Sequence, residues 1–136
     1  MATCAHASRS ELEDVLGALA PLPEARDLRP IETGLVMLRG RMGGDGAPFN
    51  VGEATVTRAA IVLSDGATGF AYHLGRDGGK VRAAAIIDAL WQGQARSRIE
   101  AALEPVRARI LADRLRKAQE TAATRVNFFT LVRGED

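Results

Sequence analysis

Two short stretches combine glycine with basic residues as phosphate-binding turns do: RMGGDG at residues 41–46 and GRDGGK at residues 75–80. Backbone N–H groups in such turns can point at an anion, and the arginine guanidinium adds a charged, bidentate hydrogen-bond donor. RMGGDG lacks the Lys-Ser/Thr of a phosphate loop and the spacing of G-x-G-x-x-G. Glycine also supplies the positive φ of tight turns, so a plain hairpin loop is the favoured interpretation and anion contact the alternative.

GRDGGK is the better anion candidate because it precedes a predicted helix, whose free N–H groups and dipole attract negative charge. Asp77 has a second interpretation as the N-cap of that helix. Arginines converging on a phosphonate or triphosphate would make the protein a ligand-binding module. The candidate residues for contact with a ligand or a partner protein are Arg41, Gly43, Gly44, Thr57, Arg58, Gly75, Arg76 and Asp77.

The sequence contains no recognisable catalytic or metal-binding constellation. His73 has no ligand partner two or four residues away, and His6 and Cys4 lie in the N-terminal segment. No Ser, Thr or Cys stands in a nucleophile elbow with a histidine placed as its base. We therefore predict no catalytic residues, no metal site and no cofactor in this chain.

The C-terminal sequence TRVNFFTLVRGED, residues 124–136, contains two adjacent phenylalanines. In a strand, Phe128 and Phe129 would point to opposite faces, so one surface of a small domain could not bury both. A terminal strand against the sheet edge is one interpretation. A partner-docking segment at residues 125–136, with Arg125 and Arg133 beside the aromatic rings, is the other.

Length and composition indicate one domain spanning residues 1–136, with residues 1–8 expected to be disordered. The net charge of +1 gives no general attraction to nucleic acid or to an anionic membrane. A single cysteine, and the absence of an apolar leader or spanning segment, favour a cytoplasmic protein. Sixteen of the eighteen basic residues are arginine, which suits carboxylate or phosphate recognition but also reflects an Ala- and Arg-rich composition.

Hydrophobic spacing predicts the elements that would position these residues. Ser10 and Glu13 can form the capping box of a first amphipathic helix. A strand is expected from Gly34, and Asp65-Gly66 is a strong hairpin signal between the next two strands. The fold class is thus predicted to be α+β, a single domain with an antiparallel meander of three to four strands covered by helices.

The third predicted strand alternates bulky Phe70, Tyr72 and Leu74 with smaller residues, and we expect its bulky face to lie under the helix KVRAAAIIDALWQ. A second, longer helix is expected after Pro105, which suits a first helical turn. Its predicted inward positions are Val106, Ile110, Leu111, Leu115, Ala118 and Ala122.

Three long motifs resemble the G subunit of the carbon–phosphorus lyase system, the PhnG family. They are the segment ETGLVMLRGRMGGDGAPFNVGEATVTRAAIVLSDGATGFAYHLGRD, the helix AAAIIDAL and the terminal TRVNFFTLVRG. The resemblance covers residues 32–134. The N-terminal helix and the stretch from Gln92 to Asp113 carry no diagnostic motif.

The resemblance implies a subunit of a bacterial core complex with the H, I and J subunits, acting in phosphonate catabolism. With the H, I and L subunits, this family supports displacement of adenine from ATP by methylphosphonate, which gives ribose 1-methylphosphonate 5-triphosphate. The chemistry is credited to the I subunit, the expected direct partner. An accessory subunit, paired as a homodimer when alone, is thus the predicted function, and the ligand-binding module is the alternative.

Overall fold

The computed structural model describes residues 2–124 as an antiparallel three-stranded sheet with four helices. The strands follow one another in the order β1-β2-β3, so the predicted α+β meander is confirmed. The elements are α1 (Ala2–His6), α2 (Arg9–Ala18), β1 (Ala25–Arg41), β2 (Pro48–Leu63), β3 (Thr68–Leu74), α3 (Gly78–Trp91) and α4 (Arg96–Ala123).

The turn between β2 and β3 lies where Asp65-Gly66 predicts it. Gly66 has φ of +89°, a left-handed conformation that glycine adopts without strain. The Asp65 carboxylate accepts a hydrogen bond from the backbone N–H of Ala67 at 3.0 Å, which stabilises the turn. β3 then pairs with β2 from Thr68, opposite Val62, to Leu74, opposite Val56.

Helix α3 covers the small face of β3, and the expectation that it covers the bulky face is wrong. Ala71 and His73 are buried, whereas Phe70, Tyr72 and Leu74 are 59%, 54% and 75% exposed. At Gly69, an added Cβ would lie 2.0 Å from the Ala85 carbonyl oxygen of α3. The missing side chain therefore lets α3 approach the sheet closely.

The N-terminal segment, expected to be disordered, forms α1 and contributes to the core. Cys4 is fully buried there, and the burial raises the pKa of its thiol. The capping box of α2 is built by Ser8 and Glu11, two residues before the predicted pair. Each side chain accepts a hydrogen bond from the other residue's backbone N–H, at 3.1 and 2.7 Å.

Helix α4 begins at Arg96, so Pro105 lies inside it rather than at its start. Ile99, Leu103 and Val106 are buried against the other helices. Leu111 and Leu115, predicted to point inward, are 59% and 56% exposed. Ala118 and Ala122, also predicted to point inward, are exposed as well. The inward prediction was wrong for these four residues because the buried positions of α4 end at Val106.

Candidate functional site

The RMGGDG stretch is the turn that joins β1 to β2. Gly43 and Gly44 have φ of +62° and +86°, which explains the glycines by backbone conformation. Arg41 donates a hydrogen bond from Nη1 to the carbonyl oxygen of Gly46 at 3.1 Å, across the turn. The geometry is that of a hairpin loop, with the guanidinium of Arg41 engaged in closing it.

GRDGGK forms the turn between β3 and α3. Asp77 is the N-cap of α3, and its carboxylate accepts a hydrogen bond from the backbone N–H of Lys80 at 2.8 Å. Gly75 has φ of +94°, and its carbonyl oxygen accepts a hydrogen bond from Thr57 Oγ1 at 2.7 Å. A helix terminus already capped by a carboxylate is a poor site for another anion.

Of the three arginines predicted to converge on a ligand, Arg41 lies far from Arg58 along the sheet. Arg41 pairs with Pro48 at the far end of β2, ten residues from Arg58 on that strand, or roughly 33 Å at the rise of a β-strand. Arg58 donates to the Glu32 carboxylate at 2.8 Å, and Arg76 lies in the turn before α3. Arg41 and Arg58 therefore cannot hold one phosphate group together.

The histidines and the cysteine do not assemble a catalytic centre. Within residues 2–124, no three His, Cys, Asp or Glu side chains lie together as a metal site requires. His73 is 7% exposed, and burial and the nearby charge of Lys80 lower the pKa of its imidazole. A buried imidazole of lowered pKa stays neutral near pH 7 and is poorly placed to meet a substrate in solution.

The most unusual surface is a two-stranded arm, formed by residues 34–41 of β1, the turn at 42–47 and residues 48–55 of β2. β3 pairs with β2 only from Val56 onward, so the arm extends past the three-stranded part of the sheet. It exposes apolar side chains, Leu35 and Met37 on one face and Leu38 on the other. Met42, Phe49 and Val51 are exposed as well.

Such an arm lacks the hydrophobic face-to-face packing that normally stabilises a sheet. An isolated two-stranded ribbon is marginally stable in water, and exposed contiguous apolar surface is typical of protein–protein contact sites. Gly40 leaves room for the Val51 side chain, because an added Cβ would lie 2.7 Å from a methyl group of Val51. The arm is thus a two-stranded ribbon with an exposed apolar surface.

The last ten residues of α4, 114–123, and the C-cap Thr124 also project from the domain. The helix is anchored by Arg109, which donates to the Glu11 carboxylate at 2.5 and 2.9 Å and to the His6 carbonyl oxygen at 3.1 Å. Beyond Asp113, the hydrogen bonds of described side chains stay within α4 itself. Residues 114–124 thus form a helix extension.

The arm and the helix extension leave the domain at the same end. Arg109 of α4 contacts His6 at the end of α1, and Lys80 of α3 donates from Nζ to the neighbouring Ala5 carbonyl oxygen at 3.0 Å. β3 enters α3 beside these contacts, and the arm begins where β3 ends.

A third exposed surface is a trough on the open face of the sheet, the face without helices. It consists of two neighbouring cavities of 530 and 390 Å³, both lined by Arg58 and Tyr72. Leu28, Arg29 and Phe70 line the larger cavity. Sequence reasoning missed this surface because it assigned the bulky face of β3 to the core.

The C-terminal docking candidates Arg125, Phe128, Phe129 and Arg133 lie outside the described residues. Among the helices that are described, none combines the length and the apolar character needed to cross a membrane.

Comparison with known proteins agrees with the resemblance in the motifs. The profile of the family described as "Phosphonate metabolism protein PhnG" matches residues 1–134. A relative from Rhizobium meliloti (strain 1021) is described as alpha-D-ribose 1-methylphosphonate 5-triphosphate synthase subunit PhnG. It is 53% identical over 137 residues, which cover 100% of this chain and 88% of the relative. The chain therefore belongs to the PhnG family of phosphonate metabolism proteins.

Proposed function

We propose that this protein is an accessory subunit of a ribose 1-methylphosphonate 5-triphosphate synthase complex in phosphonate catabolism. The observation that carries the proposal is the 53% identity to a protein described as a subunit of that synthase. The exposed apolar arm supports it, because Leu35, Met37 and Val51 are 62%, 58% and 62% exposed in the single chain. Burying such side chains on a partner would stabilise the assembly by roughly 1.5–3 kcal/mol each at full burial.

The partners we propose are the H, I and J subunits, with the I subunit in direct contact, in the cytoplasm. The arm and the helix extension supply a docking surface of the required kind, with apolar centres and charged margins. Arg114, Arg116 and Lys117 lie on the exposed helix extension, and rim charges of this type guide association more than they add affinity. The synthase chemistry is then the work of a partner, and this chain holds it in place.

Copurification of this chain with an untagged I subunit tests the docking role. A Met37→Asp variant places a charge on the apolar arm and should lower recovery of the I subunit at least tenfold. Asp14→Ala, on the exposed face of α2, is the matched control and should leave recovery unchanged. Equal recovery with both variants would contradict docking through the arm, and no recovery with the original chain would contradict direct contact with the I subunit.

Activity of the isolated chain tests the accessory role. The purified protein should neither release adenine from ATP nor hydrolyse its phosphates, as followed by chromatography of the products. Turnover above the no-protein control that disappears on mutating a residue of this chain would overturn the accessory role. This assay is independent of which subunit the arm meets.

The ligand-binding alternative makes a different prediction for the two arginine turns. If Arg41 and Arg76 contact phosphate, the double alanine variant should assemble normally but bind triphosphate more weakly, with an effect that shrinks at high salt. We expect the opposite pattern, impaired assembly, because Arg41 closes the turn of the arm. Equilibrium binding of ATP to the assembled complex, beside its recovery on a column, separates the two.

A further inference from the structure

The trough on the open sheet face is an apolar surface that the proposed docking through the arm leaves unused. Phe70 and Tyr72 form its floor together with Leu28, which is 46% exposed. No element among residues 2–124 covers it, since the helices that contact the sheet pack on the opposite face. Rings exposed to this extent in a trough indicate a bound chain segment rather than solvent.

We propose that this trough binds the C-terminal segment, residues 125–136, of a second copy of the chain. The segment RVNFFTLVRGED supplies the complementary chemistry, five large apolar side chains followed by an acidic end. Two arginines line the trough. Arg58 is paired with the Glu32 carboxylate, whereas Arg29 forms no ion pair with the described residues. Apolar side chains would meet Phe70 and Tyr72, and the acidic end would meet Arg29.

The reach of the chain indicates a second copy rather than the same one. Thr124 ends the helix extension about 22 Å along the axis beyond Arg109, at roughly 1.5 Å per residue. The main contacts of helix α4 are with α1, α2 and α3, so α4 lies one helix layer, roughly 10 Å, beyond the helix that covers the sheet. The trough lies on the far side of that sheet.

Phe128 is four residues past Thr124, a span of at most about 14 Å at the length of an extended chain. This reach is shorter than the roughly 22 Å between Arg109 and Thr124 along the helix axis, so a second copy is the better candidate for an occupant that includes Phe128. The whole twelve-residue segment spans only about 40 Å, most of which the return would use. A reciprocal exchange between two copies would fill both troughs under twofold symmetry.

Complementation between two full-length variants tests the exchange. Phe70→Asp with Tyr72→Asp disables the trough, and Phe128→Asp with Phe129→Asp disables the segment. Both trough positions are exposed, so the first variant should keep its fold, as circular dichroism will check. Sedimentation velocity of the protein with its original sequence should show a dimer. The dimer dissociation constant of each variant alone should be at least a hundredfold higher.

A mixture of the two variants should recover a dimer, because one intact trough and one intact segment remain. Leu111→Asp, on the exposed part of α4 outside the trough, is the control and should dimerise normally. The proposed exchange would be overturned if the protein with its original sequence is monomeric, if the variants dimerise normally, or if their mixture stays monomeric. These measurements use the chain alone, so their failure leaves docking to the synthase subunits untouched.

Discussion

The two faces of one strand differ in a way that size and hydrophobicity do not predict. The face of β3 with Gly69 and Ala71 is buried under α3, while the face with Phe70 and Tyr72 is open. The helix contributes small residues of its own to this contact, Ala83, Ala84, Ala85 and Ala89. Close approach of two backbones thus decides which face is covered, and the larger side chains stay exposed on the other face.

Adding a side chain at Gly69, where α3 packs directly on the sheet, should have the largest effect on the free energy of unfolding. The Cβ of Gly69→Val would lie 2.0 Å from the Ala85 carbonyl oxygen and 2.6 Å from the Ala89 nitrogen, both backbone atoms of α3. Because a helix backbone cannot move aside locally, we expect a loss of about 3 kcal/mol or more. Urea denaturation followed by circular dichroism measures it.

Gly34→Val is the matched control in the same sheet. A Cβ at Gly34 meets no atom within 4 Å, so valine there should change the free energy of unfolding little. Equal losses at the two positions would mean that strand propensity, not the approach of α3, explains Gly69.

A pair of truncations measures the two faces directly. Ile61→Ala removes a fully buried side chain from the covered face and should lower the free energy of unfolding by about 3 kcal/mol. Phe70→Ala removes a larger side chain from the open face and should cost less than about 1 kcal/mol in the monomeric protein. Thermal unfolding of dilute samples tests this, and a larger loss for Phe70 would show that its ring belongs to the core.

The meander and its turns could be predicted because their signals are local. Asp65-Gly66 fixes one turn by its own backbone preferences, and Asp77 caps α3 through a carboxylate three residues from its partner Lys80. The same local reasoning placed the cap of α2 two residues late. Both Ser8 with Glu11 and Ser10 with Glu13 have the required spacing, and the contact of Glu11 with Arg109 far along the chain favours the first pair.

The covered face and the exposed half of α4 could not be predicted, because they depend on distant packing. Alternation along β3 shows that its faces differ but not which one meets a helix. Likewise, Leu111 and Leu115 continue the apolar spacing of the buried residues, yet the buried positions of α4 end at Val106. The arm was missed for the same reason, since its strand sequence gives no sign that a third strand stops at Val56.

The link between α2 and α4 should produce a moderate, pH-dependent effect. Arg109 and the Ser8 backbone N–H lower the pKa of the Glu11 carboxyl to about 2. Its stabilising contribution is therefore complete above its ordinary pKa of 4.5 and is lost as the pH falls towards 2. Glu11→Gln should lower the free energy of unfolding by about 1 kcal/mol at pH 7, and this difference should vanish near pH 2.

Glu13→Gln is the control for Glu11, because Glu13 pairs with Arg9 across an exposed helix turn. Chemical denaturation at pH 7 and at low pH should show almost no change for this variant. A difference for Glu11→Gln that persists at pH 2 would mean that its effect comes from the lost cap geometry rather than from charge.

The smallest effect should come from His73 on the covered face. Burial and the charge of Lys80 lower the pKa of its imidazole, while Asp77 opposes that shift. Its Nδ1 atom is buried without a hydrogen-bond partner among the described residues, so the native fold holds the ring neutral.

The imidazole of His73 takes up a proton in the unfolded chain below its ordinary pKa of 6.5. The free energy of unfolding should therefore decline as the pH falls from about 6.5 towards the lowered pKa. His73→Leu should remove that decline, as measured by urea denaturation between pH 7.5 and about 5.5. If the free energy of unfolding of His73→Leu depends on pH as steeply as that of the original protein, the imidazole can be protonated in the folded state. The covered face of β3 would then be accessible to water.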